Sequence, residues 1–521
     1  MKTNKIFSLA LVMATGMAVS SCGDDFLEAE PTAQISVGGT VDQNSLFASL
    51  VAAYQPLLFE SYAACSYESP VFIGEIQGDN CWKGGGDAQD GNSGQNLNIS
   101  LFTTSGNSTL NGTWTLFYSG IARTNAVISG AANAVIANDK EAENIARYKA
   151  EAHFLRAYYY YILWRSFGNI PYFTDFSELN DYTAPQLKAD DIYAKILEDL
   201  EEAIKDDVLP INLNNVDGQE GKGHATLAAA LMLRARVIMY QKDSSKYQQA
   251  SDDLKRIIDS GEYELVPTEE LANMWTVDGE FGKESIFEIN HLGENSQWGG
   301  WSGYGNNLPS YISPNGLEGH DDYRGGWGFA PVRPDAVDRA FKTGDNRKAI
   351  SVVDHSEYKY TARWQDTGLF FGKYAAHEGD INHDKEAGAP DLNSTANVRI
   401  FRYAETLLNY AELYYLNGVG EPAVAKKAFN DVHSRAFDGE SIDNPTANDV
   451  KAEQHAEFFG EGHRYYDLVR WGDAAAALTG EVLAVDGGRT WTENKKYVAI
   501  PQSEIDKTKG TPNELVQNPG Y

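Results

Sequence analysis

"HATLAAALMLRARVIMYQKD" (residues 224–243) and "YQQASDDLKRIIDSG" (247–261) decide the fold. In both, apolar residues recur at helical spacing. Only the short stretch 244–246 parts them, so the two helices fold back as a hairpin. Ala235 sits on the first and Ala250 on the second, and small residues so placed let two helix backbones approach closely. "IFRYAETLLNYAELYYLNG" (400–418) followed by "EPAVAKKAFNDVHSRA" (421–436) repeats the arrangement with Ala411 and Ala425. "YKAEAHFLRAYYYYILWRSFG" (148–168) adds a long helix, with Ala150, Phe154, Leu155, Tyr158, Ile162 and Phe167 near 3.6 spacing and Gly168 as its C-cap. Further helices are expected over 187–206 and 448–459.

Matched helix pairs of this kind resemble tetratricopeptide-type repeats, in which each pair covers the apolar face of its neighbour. The expected fold class is mainly α: a tetratricopeptide-like helical-pair scaffold over about 40–262 and 396–480. Residues 263–395 change character, with Gly, Asn, Asp, Pro and aromatics and little periodicity, and 78–106 is similar. Loops this long inside a compact protein are functional or disordered, and aromatic content argues against disorder. This stretch is therefore expected to form a large irregular ligand-binding region.

The amino terminus carries Lys2 and Lys5 before the apolar run Ile6–Val19, which is too short to span a bilayer and has the form of a signal peptide. It ends in "VSSC", an arrangement that resembles a bacterial lipobox with Cys22 as the lipidated first residue of the mature chain. Residues 1–21 are thus read as a lipoprotein signal and 22–521 as one unit. Acyl chains would tether it to a membrane, and Asp24 and Asp25 resemble a surface-export signal. A net charge of −31 repels phosphate backbones, and no basic stripe interrupts it, so nucleic acid is excluded as a partner. Cys65 and Cys81 remain, either disulfide-bonded or as two buried thiols.

Several segments together carry a family resemblance: "EFFGEGHRYYDLVRWGD" (457–473), "LVQNPGY" (515–521), "YVAIPQSEI" (497–505), "AEAHFLRAYYYYILWRSFGNIPY" (150–172), "RIFRYAETLLNYAE" (399–412) and "IARTN" (121–125). They are similar to the signature segments of the SusD/RagB family. The resemblance implies a lipid-anchored, surface-exposed protein of the cell outer membrane. It also implies capture of a glycan, or in some members a peptide, and delivery to a SusC-like TonB-dependent transporter. Where many members have a basic pair before "EF", this chain has Glu453 followed by Gln454 and His455, which unsettles a local ion pair.

Glu461, His463, Arg464, Asp467 and Arg470 look like an acid, base and cation set, but they sit among Phe458, Tyr466, Leu468 and Trp471, where buried charges survive by pairing. They are read as structural, as are Glu151, Arg156, Arg123 and Asn125. No HExxH, GxSxG, Walker or CxxC motif occurs, and the protein is read as a non-enzyme. Peptide capture is the first alternative and a surface glycoside hydrolase the second, since a hydrolase's two carboxylates need only a spatial separation. No cofactor is expected. Asp380, Asn382, Asp384 and Asp391 partly imitate a calcium loop, although Lys385 replaces the turn glycine and Asp391 the longer Glu.

Tryptophan and tyrosine on loops offer flat faces to the C–H side of a sugar ring, while amides, carboxylates and guanidinium groups meet its hydroxyls. Three segments mix these types. "GDNCWKGG" holds Asp79, Asn80, Trp82 and Lys83; "WGGWSGYGNN" holds Trp298, Trp301, Tyr304, Asn306 and Asn307; "DDYRGGWGFAP" holds Asp322, Tyr323, Arg324 and Trp327. The candidate glycan site is drawn from these residues.

Overall fold

The computed structural model describes residues 41–61, 67–174, 183–213, 222–298, 303–384, 386–483 and 485–521. Cys22, Cys65, Trp301 and the leader 1–21 lie outside them.

The fold is predominantly helical. Its first half runs through α1 (Gln43–Tyr54), α2 (Pro70–Gln77), α3 (Asn111–Ala132), α4 (Asp139–Phe167), α5 (Ala189–Ile204), α6 (Leu227–Gln241) and α7 (Tyr247–Ser260). From α3 to α7 each helix packs on the next, and α1 lies on both α3 and α4. The second half, α8 (Tyr403–Asn417), α9 (Pro422–Ala436), α10 (Ala447–Glu457) and α11 (Arg464–Trp471), returns to the same stack, with α8 against α7 and α11 against α6 and α2. The two hairpins pack through the expected alanines: Ala235, Ala250, Ala411 and Ala425 are all fully buried. A larger side chain there would push the helix axes apart.

The helix α4 starts well before the apolar periodicity that announces it. Asn138 accepts the Glu141 N–H at 3.0 Å, and Asp139 and Glu141 in the first turn suit the helix dipole, so capping extends the helix into solvent. At the other end Gly168 closes the helix as expected, its N–H donating to the Trp164 carbonyl. Tyr159, Tyr160, Tyr161 and Trp164 are sealed in the interior, making α4 the axis of the core. Helix α3 was hidden by its glycines. Gly120 is required there because a Cβ would meet the Tyr159 ring at 2.6 Å.

The expected helix over 400–417 begins only at Tyr403, because Val398–Arg402 (β2) pairs antiparallel with Ser285–Ile289 (β1). This pair ties the central irregular region to the scaffold. Behind it, Arg402 binds Glu284, Glu457 and Glu461; Arg435 binds Glu284 and Glu457; Arg347 binds Asp345, Glu453 and Glu457. Burial pushes the Glu457 carboxyl up, but the three arginines around it hold it well below the usual carboxylate range. No helix among the described residues is long and apolar enough to cross a membrane.

Candidate functional site

The central region carries a column of aromatic rings that rises from core to surface. Phe72, Phe329 and Tyr311 form its buried base. Tyr311 stacks on Tyr67 at 5.3 Å between ring centroids and meets Trp327 at 4.8 Å. Trp327, half-buried, meets Trp298 at 5.6 Å, and Trp298 stands 55% exposed at the top. A ring exposed on a supported base offers a flat apolar face for contact.

Backbone hydrogen bonds fix this column. The N–H groups of Trp327, Gly328 and Phe329 donate to the carbonyls of Ser310, Ser313 and Tyr311, zipping 327–329 onto the turn Leu308–Ile312. Glycine is needed at 326, where a Cβ would lie 2.3 Å from the Ser310 oxygen. It is needed equally at 305, where a Cβ would lie 2.1 Å from the Leu392 oxygen. Gly305 and Gly326 therefore permit close backbone approach beside the aromatics.

Charged groups surround the top. The Arg363 guanidinium donates to the Trp327 carbonyl at 2.6 Å and to Asp90 at 3.2 Å. Arg324 donates to Asp391 at 2.8 Å and to Glu378 at 3.5 Å. Ser310 links the two features, its hydroxyl donating to the Asp391 carbonyl while its own carbonyl holds Trp327. All four of these arginine and aspartate side chains keep part of their surface in water. The arrangement offers stacking from the rings and donors and acceptors at the edge, the two needs of a sugar.

Of the residues picked out in the sequence, Trp298, Trp327 and Arg324 come together here. Others go elsewhere. Asp79 is buried between Arg464 at 2.7 Å and Arg339 at 3.3 Å; burial raises its carboxyl, but the Arg464 hydrogen bond and charge prevail and hold it at about 2. Asn80 is fully buried, donating to Glu75 and facing the His455 ring at 2.7 Å. Trp82 lies under the Arg333 guanidinium, 4.3 Å from its ring centroid. Lys83 is buried and donates to the carbonyls of Asp87 and Asp90, with its amine lowered by burial to about 8. Asn306 is spent on the Ala396 carbonyl and the Leu308 N–H, and Asn307 is buried. These polar groups were expected at a sugar's edge; the structure uses them as interior struts.

Tyr304 faces a separate groove of about 510 Å³, shared with Val51 and Tyr54 of α1 and with His224. Asp322 pairs with His377 at 3.0 Å, and Tyr323 packs on His320 and His377. The calcium-like set disperses: Asp391 serves Arg324, Asn382 donates to the Gly293 carbonyl, and Asp384 accepts the Glu386 N–H. Asp380 is buried, its carboxyl raised by burial. Among the described residues no group of three or more His, Cys, Asp or Glu is gathered as for a metal ion. Cys81 is a free, buried thiol, pushed up by burial.

The charged signature residues are struts, as read from the sequence. Glu461 bridges Lys373 and Arg402, Arg470 pairs with Glu412 and Asp467, and Arg156 with Asp199 and Asn125. Glu151 accepts the Tyr54 hydroxyl at 2.6 Å beside His224, and Arg123 donates to the Ala52 carbonyl. Sequence reasoning missed Tyr67, Tyr311, Arg363 and Asp90. No local pattern marks them, because contacts between distant segments bring them together, Tyr67 with Tyr311 and Arg363 with Asp90.

Comparison with known proteins shows the family to which the chain is similar. A profile described as "SusD family" matches residues 352–521, and one described as "Starch-binding associating with outer membrane" matches 25–239. The chain is similar to surface glycan-binding protein A from Bacteroides fluxus, with 46% identity, a TM-score of 0.84, and coverage of 92% of this chain and 99% of that one. It is also similar to surface glycan-binding protein A from Bacteroides thetaiotaomicron in complex with laminarihexaose, at 35% identity, a TM-score of 0.81 and the same coverage. SusD-like protein P2 from Formosa agariphila is 26% identical over the full length of both chains.

Proposed function

Because the chain belongs to the SusD family, we propose that it captures oligosaccharide at the cell surface without cleaving it and passes it to a SusC-like TonB-dependent transporter. The observation that carries this reading is the ring column, supported from the core and ending in the exposed Trp298 beside charged edges. A pyranose laid on Trp298 would present its hydroxyls to Arg324, Asp391 and Arg363. The rim carboxylates Asp391, Glu378 and Asp90 are each engaged by an arginine, which suits binding rather than the separated acid and nucleophile of a glycosidase.

The glycan class best supported is a laminarin-type glucan, since a relative 35% identical was solved with laminarihexaose. Cys22 is the lipidation site in this reading and would hold the protein at the outer membrane, where the transporter lies. Titration of the lipid-free chain with laminari-oligosaccharides and with a peptide pool, followed by product analysis, tests it. Saturable sugar binding with the oligosaccharide recovered intact is expected. Binding of peptide alone would favour the peptide-capturing branch of the family, and shortened sugars would mark a hydrolase.

A further inference from the structure

Between α4, α6, α8, β2 and α11 lies a partly open cavity of about 70 Å³, lined by none of the rings of the column. Arg165 lines it and is buried. Its guanidinium carbon stands 4.2 Å from the Tyr466 ring centroid and 4.9 Å from that of Tyr161. Its Nη1 makes a long hydrogen bond to the Tyr161 hydroxyl at 3.4 Å, and its Nε has no partner. Among the described residues no carboxylate pairs with it.

The carboxylates on the wall are already engaged by other cations, and Arg399, which also lines it, lies 3.9 Å from Glu288. Arg236 is held by both oxygens of Glu405, at 2.8 and 2.5 Å, and Arg470 by Asp467 and Glu412. Glu461, on the cavity wall, serves Arg402 and Lys373. Arg165 thus has no carboxylate of its own among the described residues, and a guanidinium cannot shed its proton to escape burial. Rings above and below stabilise its faces. They leave the in-plane Nε–H unanswered.

We propose that this cavity binds a single halide ion, held by the Arg165 guanidinium with the hydroxyls of Tyr161 and Tyr158. The Tyr161 hydroxyl accepts from Arg165 and keeps its own proton free to donate. Tyr158, lining the same cavity, is a second phenol within the field of Arg165. The carboxylates on the same wall, Glu405, Glu461 and Asp467, are held by Arg236, by Arg402 and Lys373, and by Arg470, so Arg165 and the two phenols are the groups that offer donors to a monovalent anion. The space holds such an ion with several waters, since roughly 10–15 Å³ of room for a water's centre is enough for one. The ion would act as a structural part of the core, locking α4 to α6 and α11.

Crystals of the chain grown with bromide in place of chloride test this directly: an anomalous peak beside Arg165 is expected, and water alone in the cavity overturns the proposal. In solution, melting temperature should rise and saturate as chloride replaces gluconate at fixed ionic strength. Arg165→Met should abolish that saturating rise and Tyr158→Phe should weaken it. An equal chloride response in wild type and Arg165→Met would contradict the site; should that variant fail to fold, the bromide map decides.

Discussion

The indole of Trp298 rests against that of Trp327 at 5.6 Å and 41°, and Trp327 in turn rests on the sealed ring of Tyr311. Burial falls along this series, so stability and binding should separate along it. Tyr311→Ala would leave a cavity under the column and cost about 3–5 kcal/mol of folding free energy. Trp298→Ala, at the wet end, should cost under ~1 kcal/mol. Denaturant titration of the two variants measures the difference, and the reverse order would show that Trp298 belongs to the core.

Gly326 sets the height of the column. Alanine there would drive a Cβ to 2.3 Å from the Ser310 oxygen, breaking the backbone zipper that carries Trp327. Gly326→Ala should destabilise the fold by about 1–3 kcal/mol and weaken sugar binding as well. Calorimetry with melting on one sample checks both. Parental affinity would show that Trp327 does not support the platform.

Asp79 separates a strut from a ligand contact. Removing it leaves Arg464, a mostly buried guanidinium, without its carboxylate, at a cost of about 3–5 kcal/mol. Asp79→Ala should therefore melt much earlier, yet bind oligosaccharide with parental affinity at temperatures where it stays folded. A selective loss of affinity would restore this residue to the site.

Stability should depend on pH in two windows. Burial raises Glu60 from its ordinary 4.5 to about 8 and Glu75 to about 7. The folded state then holds protons that the unfolded chain has released, so their effect is to lower stability as pH climbs from about 4.5 toward 8. Glu60→Gln should flatten that decline, as urea unfolding at pH 5 and pH 8 would show; an unchanged slope would contradict it. Asp79 works oppositely. Held at about 2 against an ordinary 3.8, it adds stability above about 4 that is lost as pH falls toward 2.

Helix pairing was legible because it is written locally. Apolar spacing and the small residues Ala235, Ala250, Ala411 and Ala425 are properties of single segments, and burial confirms each of them. Signature charges such as Glu461 and Arg470 were legible as struts because their apolar neighbours forced them to pair. The site was legible only in part. Trp298 and Trp327 stand out as costly rings among glycines, but nothing adjacent distinguishes an exposed polar residue from one folded inward. Asn306 and Asn80 are buried by segments far away in the chain, around Ala396 and His455. The same long-range packing brings Arg363 to the column from beyond any local pattern.

The most direct measurement is the affinity of a laminari-oligosaccharide for wild type and Trp298→Ala, with melting temperatures taken on the same samples. Stacking on a hot-spot ring contributes roughly 1–3 kcal/mol, or about tenfold to over a hundredfold in affinity. The account predicts that wild type binds saturably and that Trp298→Ala melts like the parent but binds at least about tenfold more weakly. Unchanged affinity in a variant that still folds would contradict the assignment of Trp298 as the sugar platform.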